Sequence, residues 1–148
     1  MANINILVGS VTGKALSAAH AIKYVFNEHQ HSARLFANAG LEQVTDKAVD
    51  LLVIVTSSTG QGGLPPGLVP LYAQLQDAFP LTPNKKFAVV ALGDSRYSTF
   101  CQAGAILEAL MFELQGQAIC ERFNIDAIQH FNPVDVTRQW ALDCIKQL

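Results

Sequence analysis

Leu51-Leu52-Val53-Ile54-Val55 is apolar at every position and sits directly behind Asp50. A strand with one wet face alternates apolar and polar residues. A run without alternation needs cover on both faces, as in the centre of a parallel sheet flanked by helices. Ile4 to Val8 is a second such run. Around them the chain reads as strands at Asn3–Val8, His31–Ala37, Asp50–Val55, Lys86–Leu92 and Ala118–Asp126. Between and after them the periodicity predicts helices at Gly13–Glu28, Gly67–Ala78, Gly104–Gly116 and Pro133–Gln147. The first of these carries Leu16, Ala19, Ile22, Lys23 and Phe26 along one side, and Asn132 is placed to cap the last. Strands alternating with helices give an α/β three-layer sandwich, with right-handed crossovers and a five-stranded parallel sheet. One order open to such a sheet is 2-1-3-4-5, in one domain over residues 1–148.

In such sheets ligands bind beyond the carboxyl ends of the strands, where the winding reverses. The order 2-1-3-4-5 makes strands 1, 3 and 4 neighbours, and the loops after those three strands are the ones rich in Gly, Ser and Thr. The first, Gly9-Ser10-Val11-Thr12-Gly13-Lys14-Ala15, runs from a strand into a helix. Its N–H groups have no intrahelical partners and sit at the positive end of the helix dipole, a setting that favours an anion. Taken alone, the loop reads either as a phosphate cradle or as an ordinary turn with a Ser or Thr N-cap. A nucleoside-triphosphate P-loop is excluded. That motif needs one more residue between its glycines and a Ser or Thr after the Lys, and here Ala15 follows Lys14. The second loop, Thr56 to Gly67, holds four glycines, two prolines and four hydroxyl residues, and reads as neither helix nor strand. The third runs from Gly93 to Cys101.

Composition removes other classes. Half of the 148 residues are hydrophobic and 15% are charged, so the chain can build a core and is not disordered. A formal charge of −2, with scattered Lys and Arg, argues against nucleic-acid binding. No apolar run is long enough to span a membrane, and residues 1–8 lack a signal peptide's basic start. Three widely spaced cysteines, Cys101, Cys120 and Cys144, fit reduced thiols and a cytoplasmic location. His29 and His31 stand without the Cys or carboxylate cluster that a metal site needs.

Together, Gly9–Ala15, Thr56–Pro65 (TSSTGQGGLP) and Ala91–Cys101 (ALGDSRYSTFC) resemble the three FMN-binding loops of flavodoxins. The third is also similar to the FMN domains of diflavin reductases. The likeness covers essentially the whole chain, and the last strand carries no long insertion, as in the short-chain class. The resemblance implies FMN held by Ser10, Val11, Thr12, Gly13, Lys14 and Ala15 around the phosphate. It places Ser57, Ser58, Thr59 and Gly60 beside the ring, with the peptide after Gly60 turning to meet flavin N5 in the one-electron-reduced state. It places Leu92, Gly93 and Asp94 at the pyrimidine end, Tyr97 stacked on a ring face, and Phe100 and Cys101 closing the loop. Read from residue type alone, Asp94 caps a turn, Cys101 is a buried small hydrophobe, Trp140 packs the last helix, and Lys14 and Arg96 face solvent.

Three departures bear on tuning. Ala15 lacks a hydroxyl common at that position, Thr59 replaces a ring-covering aromatic, and Gly63 and Pro66 replace acids. With Thr59 there, the second ring face is either covered by Leu64 or left open. Fewer negative groups imply a less negative second one-electron potential, which Gly63→Asp should lower. The implied function is a monomeric carrier of single electrons. Its donor would be an NADPH-dependent flavodoxin reductase or similar protein, and its acceptor a redox enzyme. An alternative is a flavodoxin-like NAD(P)H-dependent quinone or FMN reductase.

Overall fold

The computed structural model describes residues 1–59 and 62–148. Among them β1 (Asn3–Gly9), β2 (Ser32–Phe36), β3 (Leu51–Ser57) and β4 (Lys86–Gly93) are joined by helices α1 (Lys14–Glu28), α2 (Leu41–Thr45) and α3 (Val69–Ala78). Then come α4 (Gln102–Glu113), β5 (Gln117–Ala118), β6 (Phe123–Asp126) and α5 (Val134–Ile145). Every strand pairing is parallel and the order is β2-β1-β3-β4, with β5 and β6 both on the far side of β4.

The continuous apolar strands divide by parity between two cores. Ile4, Ile6, Leu51, Val53 and Val55 face α1 and α5, where Ala18, Ile22, Phe26, Ala141 and Cys144 meet them. Leu7, Leu52, Ile54, Phe87 and Val89 face the other layer, against Leu68, Leu71, Leu75, Leu107 and Met111. Removing such surface from water on both sides of one sheet is the main term holding the fold together.

Several expected boundaries move. The last strand is broken: β5 pairs with Lys86 and Phe87, β6 with Val90 to Gly93, and after Ile119 N donates to Phe87 O at 3.0 Å residues 120–122 leave the ladder. There Arg122 turns aside, its Nη1 donating to Glu108 Oε1 on α4 at 2.7 Å. Thr56 and Ser57 belong to β3, because Thr56 pairs with Gly9 and Ala91 and Ser57 with Leu92. The short α2 was not expected. On α1 the buried stripe is Ala15, Ala18, Ala19, Ile22, Val25 and Phe26, so Lys23 lies beside it and Leu16 is only half-buried. α4 begins at Gln102 and stops at Glu113, while β2 excludes Ala37. Pro133, expected as the first helical residue, instead occupies the N-cap position of α5; Asn132 lies one residue further out, where its Oδ1 accepts from Val134 N at 3.0 Å in a local turn.

Candidate functional site

At the carboxyl ends of β1, β3 and β4 a cavity of about 530 Å³ opens. Its walls include Val11, Thr12 and Lys14 from the first loop, Ser57, Ser58 and Thr59 from the second, and Leu92, Gly93, Asp94, Tyr97, Phe100 and Cys101 from the third. Three segments distant in sequence therefore line one space, as the strand order requires. The expectation for Gly60 lies outside the described residues.

The loops are cross-tied. Val11 N donates to Ser57 Oγ at 3.0 Å, joining the first loop to the second. Ala103 N donates to Ser58 Oγ at 3.2 Å, so Ser58 serves an otherwise unpaired donor in the first turn of α4, just after the third loop. Thr59 Oγ1 accepts from Gly63 N at 2.8 Å, and Thr59 N donates to Gly63 O at 3.0 Å. A Cβ on Gly63 would lie 3.0 Å from Thr59 Oγ1, so an acid placed there must displace that hydroxyl. Leu64 packs against the core layer that holds Leu68, Leu71 and Leu75.

Ser10, Gly13 and Ala15 support the first loop from behind. Ser10 Oγ accepts from Gly13 N at 2.8 Å. Gly13 takes φ +91°, a conformation penalised by a Cβ, and thereby aims α1 at the cavity. Ala15 is fully buried. The start of α1 has neither a side-chain cap nor an acidic residue in its first turn. A helix end left in this way, facing a cavity beside the Thr12 hydroxyl, suits an anion.

In the third loop Asp94 caps a turn. Its Oδ1 accepts from Arg96 N at 2.9 Å and its carbonyl from Tyr97 N at 3.0 Å. Arg96, expected to be simply solvated, donates to the same carboxylate through Nε at 3.0 and 3.1 Å while remaining 73% exposed. That hydrogen bonding holds the Asp94 carboxyl down to about 2. Tyr97 is 56% exposed, with its ring on the cavity wall. Cys101 is buried, its Sγ 3.5 Å from Ala91 O. Burial pushes its thiol up to about 11, so at neutral pH it is an uncharged packing group.

Sequence reasoning missed a fourth wall. Ile125 and the segment after β6 (Ala127, His130, Phe131, Pro133) also line the cavity. That segment carries no glycine or hydroxyl residue. The available signal was topological: β6 lies next to β4, so the chain leaving β6 emerges at the same edge. Ala127 N donates to Gly93 O at 2.8 Å and Ser95 N to Asp126 Oδ1 at 3.1 Å, tying this segment to the third loop. Lys14 does not point to open solvent, because its Nζ lies 3.6 Å from the centroid of the Phe131 ring.

A larger groove, about 810 Å³, lies at the opposite end of the sheet. Its Lys85 ammonium is engaged with the carbonyls of Asp46 at 2.8 Å and Val49 at 2.7 Å. It collects none of the Gly- and Ser-rich loops and lies away from the strand ends where such sheets bind ligands.

A parallel sheet with one loop-lined cavity at the strand carboxyl ends, faced by an uncapped helix start, defines a nucleotide-binding α/β class. Comparison narrows it. The sequence model of the flavodoxin family matches residues 6–135. The chain is 36% identical over 141 residues to flavodoxin YqcA of Pectobacterium carotovorum subsp. carotovorum, covering 95% of this chain and 93% of that one. A mutant of flavodoxin from Pseudomonas aeruginosa superposes with TM-score 0.91 at 29% identity, covering 99% of this chain and 98% of the other. The sulfite reductase (NADPH) flavoprotein alpha-component of Escherichia coli O9:H4 (strain HS) is 31% identical over 150 residues, 99% of this chain and 24% of that protein. The chain belongs to the flavodoxin family: it is an FMN-binding electron-transfer protein that serves redox partners, and not an enzyme.

Proposed function

We propose that the cavity between the four loops holds FMN, with its phosphate at the start of α1 and its ring between the second and third loops. The observation that carries this reading is the convergence of those loops on one cavity of about 530 Å³ at the uncapped start of α1, within the ~300–1,000 Å³ usual for small-ligand pockets. Thr12 and the first-turn N–H groups of α1 bind the phosphate, with Val11 tied back to Ser57 beside them; Ser57 to Thr59 border the ring, and Tyr97 covers one ring face. Bound FMN supplies one-electron chemistry, and the protein supplies position and electrostatics. We further place the carrier in the cytoplasm as a monomer of one domain, between an NADPH-dependent flavodoxin reductase and an acceptor redox enzyme.

The test is direct. Purified protein should be yellow and should release one equivalent of FMN on acid treatment. Under anaerobic conditions NADPH alone should leave the colour intact, and adding a flavodoxin reductase should bleach it. Bleaching by NADPH without a reductase would favour the quinone-reductase alternative.

Arg96 gives a second handle. It offsets the Asp94 charge on the cavity wall, so Arg96→Ala leaves an unbalanced carboxylate and returns that carboxyl toward its ordinary range. An added negative charge disfavours the anionic reduced flavin. The second one-electron potential should fall at low ionic strength, and by less in salt because the Arg96 guanidinium is exposed. A redox titration of Arg96→Ala beside Arg96→Lys measures it, and an unchanged or raised potential contradicts the account.

A further inference from the structure

The segment between β6 and α5 is pinned at both ends. Asp126 accepts from Ile128 N through Oδ1 at 3.1 Å, and through its carbonyl from Gln129 N at 3.1 Å and His130 N at 2.8 Å. Asn132 Oδ1 holds the start of α5. Between these anchors Phe131 lines the cavity while 78% exposed. Its ring receives the Lys14 ammonium at 3.6 Å, well inside the ~6 Å reach of a cation–π contact. Each partner is poorly placed alone. A cation in the first turn of a helix opposes the dipole, and a phenyl ring in water forgoes its burial. Together they join the first loop to the fourth along the cavity's rim, where no hydrogen bond between the two loops is found among the described residues.

We propose that Lys14 and Phe131 form a latch across the rim that slows flavin release, with Phe131 a positioning residue and not a reader of the phosphate. The inference rests on the FMN reading above. The Ser57, Ser58 and Asp126 hydrogen bonds fix the other loops to one another. The junction between the first and fourth loops is held by a ring and an ammonium, and these can part without breaking a hydrogen bond. A flavin leaving between these loops must separate the pair.

The experiment measures release of FMN and of riboflavin from the full-length chain, by recovery of flavin fluorescence on dilution. Phe131→Ala and Lys14→Met should each speed FMN release roughly three- to fivefold. The double variant should be no faster than the faster single one, because both substitutions remove the same contact. Phe131→Leu, apolar but without a π face, should behave like Phe131→Ala. Riboflavin release should accelerate by the same factors. Independent effects that multiply in the double variant would overturn the latch. So would a Lys14→Met effect confined to FMN with Phe131→Ala unchanged, since Lys14 would then be a plain phosphate counter-ion. A wild-type chain that retains no FMN would overturn the FMN reading itself, and the wild-type control shows this before any variant is compared.

Discussion

Gly93→Ala should weaken FMN binding by roughly one to two orders of magnitude, because overpacking a tight site costs ~1–3 kcal/mol and tenfold corresponds to ~1.4. A Cβ at Gly93 would lie 2.9 Å from Cys101 N, 3.0 Å from Cys101 Sγ and 3.1 Å from Phe100 Cδ1. The backbone nitrogen cannot swing away as a side chain could. Cys101 also has no conformational slack: it sits at φ +53°, in the left-handed region, as the residue immediately before α4. The third loop must therefore shift as a body, and Asp94, Tyr97 and Phe100 move with it. Fluorescence titration gives the affinity, and circular dichroism verifies that the sheet is retained. Wild-type affinity in a folded Gly93→Ala protein would mean that this loop does not shape the site.

Thr12→Ala should weaken FMN about ten- to a hundredfold and leave riboflavin almost untouched, since a hydrogen bond to a charged group contributes ~1.5–3 kcal/mol. The expectation comes from how the first loop uses its hydroxyls. Ser10 serves Gly13 N within the loop, and Ala15 offers none, so Thr12 is the hydroxyl residue of this loop on the cavity wall. Together with the uncapped start of α1 it forms a site for an anion, and riboflavin lacks the phosphate. The ratio of the two affinities is the decisive quantity. Equal losses for both ligands would place the phosphate elsewhere.

The central sheet could be read from the chain because Leu51–Val55 and Ile4–Val8 leave no face for water, and that property is local. The break at residues 120–122 could not. Cys120-Glu121-Arg122 holds no glycine or proline, and it is diverted by a pairing between Arg122 and Glu108 across the structure. α2 is too short for periodicity to register, and a Gln43 Oε1 bond from Gly40 N at 2.7 Å secures its start. Thr56 and Ser57 look like loop by composition, yet neighbouring strands on both sides recruit Thr56 into the ladder. Three walls of the cavity announced themselves through glycine and hydroxyl content. The fourth did not, since Phe131 and His130 owe their place to strand order alone, and the partner of Lys14 emerges only in three dimensions.

The interrupted margin beside β4 has a bearing on how this protein behaves when abundant. An uninterrupted outer strand presents a ladder of free N–H and C=O groups on which a foreign chain can template itself. Here that border is two stubs, Gln117–Ala118 and Phe123–Asp126, separated by a detour held by an ion pair. The opposite border, Ser32–Phe36, is five residues long and carries Arg34 in its middle. Neither offers a long flat seam for stacking, so the sheet is guarded against runaway polymerisation. A shuttle that must meet its partners briefly and part again gains from such borders.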